Sequence, residues 1–181
     1  MPNYMKFLVI GDLHLGYGES MRESGIGVPV DIYGDVVKEL DLIFGFIKKK
    51  YNYDDEFGVD KIILLGDLKH EFGKILRDEW KEVLDFLDYL KKKIKKGGEI
   101  IIVKGNHDVF TDFVTRKKGI EAVDYYIYEG CAFLHGDRDF SAIHDKKIKK
   151  WFIGHGHPAI VLEDKQGGVK KEKYKCFLRG K

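Results

Sequence analysis

Two histidines stand one glycine apart in the stretch WFIGHGHPAI, residues 151–160. An apolar run leads up to His155, and Pro158 follows directly after His157. Side chains at i and i+2 share one face of a strand, and the flanking glycines and proline favour an end to the strand there. We therefore expect the two imidazoles to point from a strand end at one common point. A polar turn carrying two surface histidines is the alternative for this stretch taken alone.

Four similar polar motifs occur earlier in the chain, and each follows an apolar, strand-like run. They are D-x-H at Asp12 and His14, G-D-x-x-H at Asp67 and His70, G-N-H-D at residues 105–108, and H-G-D at residues 135–137. Six of the seven histidines fall in these motifs and the opening pair, and His144 alone lies outside them. Because ligands in open α/β sheets gather beyond the carboxyl ends of strands, we expect the five sites to converge.

The residue types at these sites suit divalent metal ions. Three or four imidazoles, two aspartates and an asparagine can be held together by manganese, iron, zinc or nickel, and we expect manganese first. No cysteine stands in the motifs, which argues against a structural thiolate zinc site. Seven candidate ligands are too many for one ion. They suit two ions that share a carboxylate, which is a common device in phosphoryl chemistry.

Apolar periodicity indicates the elements that carry these sites. Apolar runs in KFLVIGD, VDKIILLGD and EIIIVKGNHD are typical of strands that are buried on both faces. Residues 35–50 and 74–96 show three- and four-residue apolar spacing and end in lysines, which predicts two helices. The second half predicts five short strands, a helix over residues 141–150 and a hairpin at the glycine pair 167–168. Together these elements predict two facing sheets flanked by helices.

Residues 15–34 are rich in glycine and match no regular element. Loops of that length in compact domains are usually functional or disordered. We expect a flexible rim of the site, because the stretch leaves directly from His14 and carries Arg22, a candidate phosphate partner. A plain surface loop is the alternative.

Length and composition limit the classes of protein. A chain of 181 residues with 44% hydrophobic residues suits one domain, which we expect to span residues 1–181. A net charge of +2 does not indicate a nucleic-acid binder, although nucleic acid stays possible as a partner. No apolar run approaches the ~20 residues that cross a bilayer, and two distant cysteines suit buried thiols in a reducing compartment. We expect a cytoplasmic protein without a membrane partner.

In order and spacing, the five motifs resemble those of the calcineurin-like metallophosphoesterases, over roughly residues 6–162. The segments GDLHLGYGES, GDLKHEF and GHGHPAIVLED are most similar to the small archaeal and bacterial phosphoesterases whose bacterial members accompany a DNA ligase and helicase. The resemblance implies an α/β fold, namely a four-layer metallophosphoesterase-type β-sandwich flanked by helices. It also implies a phosphoester substrate and two divalent metal ions.

The resemblance also implies a role for each matching residue. One metal would bind Asp12, His14, Asp67 and His157, and the other would bind Asp67, Asn106, His135 and His155. Asp67 would thus bridge the two ions. His107 would face the substrate phosphate and assist the leaving group, and Asp108 would accept the other ring N–H of His107. His70, like Arg22, would lie on the substrate side.

The expected reaction follows from charge. A phosphodiester is anionic and repels hydroxide, so two cations must neutralise its oxygens while a metal-bridging hydroxide attacks in line and His107 assists departure. A nuclease in DNA repair is the narrower version of this function. A catalytically silent protein-interaction scaffold of the same fold is the alternative from another class. The chain stops where relatives continue into further strands, so the oligomeric state is open and a homo-oligomer could complete the sheet edge.

Overall fold

The computed structural model describes residues 5–27, 31–51, 59–108, 111–163 and 171–180. Within these ranges the elements follow in chain order: β1 (Phe7–Ile10), α1 (Tyr17–Glu23), α2 (Ile32–Tyr51), β2 (Val59–Leu65), α3 (Arg77–Lys93), β3 (Ile94–Val103), α4 (Thr111–Lys118), β4 (Glu121–Val123), β5 (Tyr125–Tyr128), β6 (Cys131–Leu134), a 3₁₀ helix (Ser141–His144), β7 (Lys150–Ile153), β8 (Ala159–Glu163) and β9 (Lys171–Lys175).

The strands form three sheets within the described ranges. The first sheet is parallel throughout, in the order β1-β2-β3-β4. In the second sheet, of order β5-β6-β7, β6 pairs antiparallel with β5 and parallel with β7. The third is the antiparallel pair of β8 and β9. Because β1, β2 and β3 run in one direction, their carboxyl ends meet at one edge of the first sheet.

The first two sheets pack face to face, with helices outside. One face of the first sheet, which includes Ile62 and Ile102, joins the main hydrophobic core with side chains of α2 and α3. Its other face, which includes Ile63, packs on Phe133 of the second sheet. The far face of the second sheet contacts Ile143 of the 3₁₀ helix. This layer order confirms the predicted α/β sandwich flanked by helices, with a single helical turn as its outermost layer among the described residues.

The prediction that residues 15–34 contain no regular element is wrong, because α1 spans Tyr17–Glu23. Contacts from outside the segment stabilise this short helix. The Glu19 carboxylate accepts hydrogen bonds from the backbone N–H groups of Asp78 and Glu79, and the Ser20 hydroxyl donates to Glu71. Residues 28–30 of this segment lie outside the described ranges.

Two predicted helices end earlier in the structure than the sequence suggested, and one predicted hairpin lies outside the described residues. The helix predicted over residues 141–150 is only the turn Ser141–His144, because Asp145 leaves the helical conformation with a ψ of 135° and β7 begins at Lys150. The helix predicted to reach residue 96 ends at Lys93, and Ile94 already pairs with Val59 in β3. The glycine pair 167–168 lies outside the described residues, between the paired strands β8 and β9. No helix in the described part of the chain is long and apolar enough to cross a membrane.

Candidate metal centre

The five predicted sites meet at the carboxyl ends of parallel strands. In the first sheet, Asp12 follows β1, Asp67 follows β2 and Asn106 follows β3. In the second sheet, His135 comes directly after β6, and His155 follows β7. The backbone N–H of His155 donates to Asp12 Oδ1 at 2.9 Å, which joins the two sheets at this edge. The strand ends of both sheets therefore face one site.

The backbone at this site adopts a conformation that few residues tolerate. Among the described residues, six that are not glycine have a positive φ, and five of these are predicted ligands with φ between 40° and 62°. Aspartate and histidine are enriched in this left-handed region, but each such residue still carries a conformational cost. The five are Asp12, His14, Asp67, His155 and His157. Strain concentrated on these residues is typical of a functional site.

One group of donor atoms is formed by Asp12, His14, Asp67 and His157. His157 Nε2 lies 3.3 Å from Asp12 Oδ1 and 3.4 Å from His14 Nε2. His14 Nε2 lies 3.7 Å from Asp67 Oδ2. All four residues offer a ligand atom within 4.8 Å of the others. At this spacing, the four ligand atoms could coordinate one cation with small side-chain movements.

A second group forms around His135 Nε2. This nitrogen lies 3.0 Å from Asn106 Oδ1, 3.1 Å from His155 Nδ1 and 3.3 Å from Asp67 Oδ2. The ligand atoms of Asp67, His135 and His155 lie within 4.8 Å of one another. Asp67 thus belongs to both groups, as a carboxylate between two cations would.

The protonation of these side chains fits metal binding. His135 Nδ1 donates to the carbonyl oxygen of Leu65 at 2.7 Å, so Nε2 is the ring nitrogen that faces the second group. Burial alone would lower the pKa of His135, but its hydrogen bonds with Asp67 and Leu65 outweigh burial and raise that pKa, so a cation would displace a proton there. Burial lowers the pKa of His14 to about 4, which keeps this imidazole neutral near pH 7. Its buried Nδ1 has no hydrogen-bond partner among the described residues. Burial alone would raise the pKa of Asp67, but hydrogen bonds from His135 and from the His107 backbone outweigh it and lower that pKa. Neutral nitrogen donors around an ionised carboxylate are a suitable ligand set for divalent cations.

Two glycines allow the loops to approach this closely. A Cβ added to Gly66 would lie 2.7 Å from the backbone of Gly105 and from His135 Nδ1, and Gly66 itself has a φ of 79°. A Cβ added to Gly105 would lie 2.4 Å from Asp67 Oδ1. The glycines of the G-D and G-N-H-D motifs are therefore required by close packing around Asp67.

His107 lies beside the two groups, but its partner differs from the predicted one. Its Nδ1 donates to the carbonyl oxygen of His70, and its Nε2 lies 3.9 Å from Asp67 Oδ2. Asp108 instead accepts the backbone N–H groups of Leu68 and Gly105, each at 3.0 Å. The predicted hydrogen bond from the His107 ring to Asp108 is therefore wrong, because the Asp108 carboxylate turns inward to satisfy buried backbone donors. Burial raises the pKa of Asp108 to about 6.

The two residues predicted on the substrate side differ in position. The His70 ring lies next to the site, with its centroid 5.4 Å from that of His14 and 6.0 Å from that of His107. Arg22 pairs with Asp78 at 3.1 Å on the surface between α1 and α3. That Arg22 binds the substrate phosphate stays a prediction. In this structure its guanidinium pairs with the Asp78 carboxylate instead.

Two aromatic residues near the site were not predicted from the sequence. The Phe72 ring lies 3.7 Å from the His107 ring, and the Tyr17 ring lies 4.6 Å from the His70 ring, measured between centroids. Both side chains are exposed. An isolated aromatic residue in a loop has no periodic pattern, so only the neighbouring motif histidines could have drawn attention to them.

The family model described as "Calcineurin-like phosphoesterase" matches residues 5–175. No curated protein matches the sequence significantly. The crystal structure of the Pseudomonas putida nuclease MPE is similar with a TM-score of 0.51 and 19% identity, covering 84% of this chain. The match spans 61% of the length of that nuclease, and the likeness concerns the fold. A protein of unknown function from Aquifex aeolicus gives a TM-score of 0.42 with 21% identity over 78% of this chain and 67% of its own.

Proposed function

We propose, from the premise that this chain belongs to the calcineurin-like phosphoesterase family, that it hydrolyses phosphodiesters with two divalent cations. Membership of the family supports a metal-dependent phosphoesterase, and the proposal adds the class of ester and the number of ions. One observation carries the proposal: donor atoms from five strand ends form two groups that share Asp67. Cations held there would neutralise phosphate charge and activate a water nucleophile.

We assign the ligands as the sequence predicts them. One ion would be held by Asp12, His14, Asp67 and His157, and the other by Asp67, Asn106, His135 and His155. Manganese is the proposed metal, since imidazole with carboxylate and amide oxygens suits it, and iron, zinc and nickel are the alternatives. His107 would assist the leaving group from Nε2, because its Nδ1 is already engaged by the His70 carbonyl oxygen.

Metal analysis combined with a panel of phosphoesters tests this function. We expect about two equivalents of divalent metal per chain and turnover of bis-p-nitrophenyl phosphate in manganese. The Asp67→Asn variant should lose metal affinity at both positions, measured by calorimetric titration, as well as turnover. Asp35→Asn is the matched control, since the exposed Asp35 on α2 pairs only with Lys38 among the contacts described. Tight binding of a single ion by the wild type would contradict the two-ion proposal.

A nuclease acting in DNA repair is the narrower proposal. The name of the Pseudomonas putida neighbour and the resemblance to phosphoesterases that accompany a DNA ligase support it, whereas the net charge of +2 does not. Hydrolysis of bis-p-nitrophenyl phosphate without cleavage of single-stranded DNA would exclude the nuclease and leave the phosphodiesterase. A protein-interaction scaffold without catalysis is the other candidate, and turnover that depends on Asp67 would exclude it.

Association and location also stay proposals. The strand β7 is exposed at the edge of the second sheet, and Trp151, Phe152 and Ile153 present apolar surface there. We propose that a second copy of the chain pairs with this edge, because aromatic residues of roughly 150–250 Å² each can contribute much of the ~800 Å² that a standard interface buries per partner. A sedimentation mass of one chain at micromolar concentration would overturn this.

Both cysteines are free thiols, which supports the predicted cytoplasmic location.

A further inference from the structure

Four aromatic rings form a row beside the candidate metal centre, and both ends of the row lie at the protein surface. In order they are Tyr17, His70, His107 and Phe72, with successive centroid distances of 4.6, 6.0 and 3.7 Å. The His14 ring lies 5.0 Å from that of His107, which connects the row to a predicted ligand. The two ends of the row are the exposed ones, since Phe72 is 54% and Tyr17 is 37% accessible. Two aromatic side chains therefore offer surface at the edge of the site.

The loop that carries His70 and Phe72 is held in place by a buried carboxylate. Glu79 of α3 is fully buried, and its Oε1 accepts the backbone N–H groups of His70 and Glu71 at 2.9 and 2.7 Å. The same loop pairs with the segment after β1, where the His70 N–H also donates to the Leu15 carbonyl oxygen at 2.9 Å. The hydrogen bonds that this loop donates to Glu79 and Leu15 thus hold Phe72 next to His107.

Tyr17 is positioned from the other side by the same helix. It begins α1 directly after Gly16, whose N–H donates to Glu82 of α3 at 2.8 Å. Gly16 has a φ of 85°, and a Cβ there would lie 2.4 Å from the Cβ of Glu79. The backbone segments that carry the two aromatic residues are therefore hydrogen-bonded to the N-terminal part of α3.

We propose that Phe72 offers a stacking subsite for a nucleobase of the phosphodiester substrate on the leaving-group side of the site, with Tyr17 as a separate aromatic face at the other end of the row. The proposal rests on the proposed function and specifies its substrate class as nucleotidyl esters. Phe72 contacts the ring of His107, the residue assigned to the leaving group, so a base stacked on Phe72 belongs to the departing nucleoside. Planar aromatic faces bind bases with little sequence preference, because every base has a π-face that can stack. Such stacking requires no basic surface, which agrees with the low net charge.

Kinetics with two kinds of phosphodiester test the subsite. One substrate is a dinucleoside monophosphate, and the other is a glycerophosphodiester that carries no ring. For Phe72→Leu we expect the KM of the dinucleotide to rise about tenfold more than the KM of the ring-free ester, whose kcat reports any displacement of His107. Phe72→Tyr should restore the wild-type KM, because it restores the aromatic face. Phe46→Leu is the control, since Phe46 is an exposed phenylalanine on α2.

Two outcomes separate a failure of the subsite from a failure of the proposed function. Equal changes in KM for both substrates, or no change for the dinucleotide, would overturn the stacking subsite while leaving the phosphodiesterase intact. A wild type that cleaves neither ester in any of the four metals would overturn the proposed function. In that case calorimetric titration with a phosphorothioate dinucleotide still decides the subsite, because Phe72→Leu must weaken its binding about tenfold. Equal affinity of the wild type and Phe72→Leu would then overturn the subsite as well.

Discussion

At the scale of single residues, one hydrogen bond determines what His107 can do. A carbonyl oxygen only accepts, so the contact with the His70 carbonyl places a proton on Nδ1 of the His107 ring. The other nitrogen, Nε2, faces the candidate metal centre at 3.9 Å from Asp67 Oδ2. In the doubly protonated ring, Nε2 is therefore the atom that can give its proton to a departing oxygen, which leaves the neutral ring with its proton on Nδ1. The His107 backbone N–H donates separately to Asp67 Oδ1 at 3.1 Å, so the side chain can be removed without losing that bond.

Replacing His107 by alanine should lower kcat about 10²- to 10⁴-fold, which is the range expected for loss of a general acid. Metal content should stay that of the wild type, because the ring is not among the proposed ligands. The loss should be smaller for bis-p-nitrophenyl phosphate than for an alkyl ester, since p-nitrophenolate departs without help. Turnover numbers for the two esters and metal analysis of the same preparation provide the measurement. The control is His144→Ala, because His144 is an exposed histidine that pairs with Asp139. Full turnover by His107→Ala would contradict the proposed role.

The residues that carry the site could be recognised in the sequence, but their orientation could not. The motif spacing singled out Asp12, Asp67 and His135. The structure brings these side chains together because Asp12 and Asp67 follow the parallel strands β1 and β2, and His135 follows β6, which runs parallel to β7 in the second sheet. The motif G-N-H-D also suggested that Asp108 supports His107. The side chains of neighbouring residues in a tight loop can point in opposite directions. The Asp108 carboxylate accepts buried backbone N–H groups, and one of them, that of Leu68, belongs to a distant segment. Such partners, from residues far away in the sequence, are invisible to motif spacing.

At the scale of elements, the first turn of α3 organises the loops around the site. Glu79 accepts three backbone N–H groups, those of His70, Glu71 and Leu76. In return, the Glu19 carboxylate of α1 accepts the N–H groups at the start of α3. Acidic side chains at a helix N-terminus satisfy donors that lack partners within the helix and interact favourably with the helix dipole. The segment after β1, the loop after β2 and α3 are thus connected by carboxylates.

We expect Glu79→Ala to lower the free energy of unfolding by about 2–3 kcal/mol, because the N–H groups of Glu71 and Leu76 lose their acceptor and that of His70 keeps only the Leu15 carbonyl oxygen. Glu79→Gln should lose less, since the amide oxygen can still accept. Chemical denaturation with a linear extrapolation measures both values. In the folded fraction of Glu79→Ala, a displaced His70 loop should also raise the KM of the dinucleotide. Glu39→Ala provides the comparison, because Glu39 is exposed on α2. Equal stability of Glu79→Ala and Glu39→Ala would refute this account of α3.

The elements themselves were predictable wherever local pattern and tertiary packing agree. Apolar runs predicted β1, β2 and β3, and the amphipathic spacing predicted α2 and α3, because burial selects the same residues that the pattern shows. The helix α1 was not predictable, since it has no buried residue among its seven and depends on Glu19 and Ser20 contacting other segments. The strand β4 has only three residues, which is too short for a period to emerge.

At the scale of the whole molecule, the candidate metal centre links the two sheets. Asp12 and Asp67 follow strands of the first sheet, and His135 and His155 follow strands of the second. The sheets also share a hydrophobic core between Ile63 and Phe133. That a single domain spans residues 1–181 stays a prediction. The shared core and shared ligands lead us to expect one cooperative unfolding transition, and calorimetry that resolves two transitions would contradict it.

Because the donor groups exist only when both sheets are folded, metal should bind the native state and not the unfolded chain. Each ion then stabilises by about 2.7 kcal/mol when the free metal concentration is 100 times its Kd. For a chain of this size each kcal/mol corresponds to about 2–4 °C, so each manganese ion should raise the Tm by about 5–10 °C, two ions about twice as much, and a chelator should reverse the change. Asp67→Asn should lose most of this shift, since Asp67 belongs to both donor groups, whereas Asp35→Asn should keep it. Scanning calorimetry with manganese, and again after chelation, measures the effect without any substrate. If neither manganese nor the chelator changed the Tm, the seven side chains would meet without holding an ion. That result would also contradict the phosphodiesterase proposal, which requires bound cations.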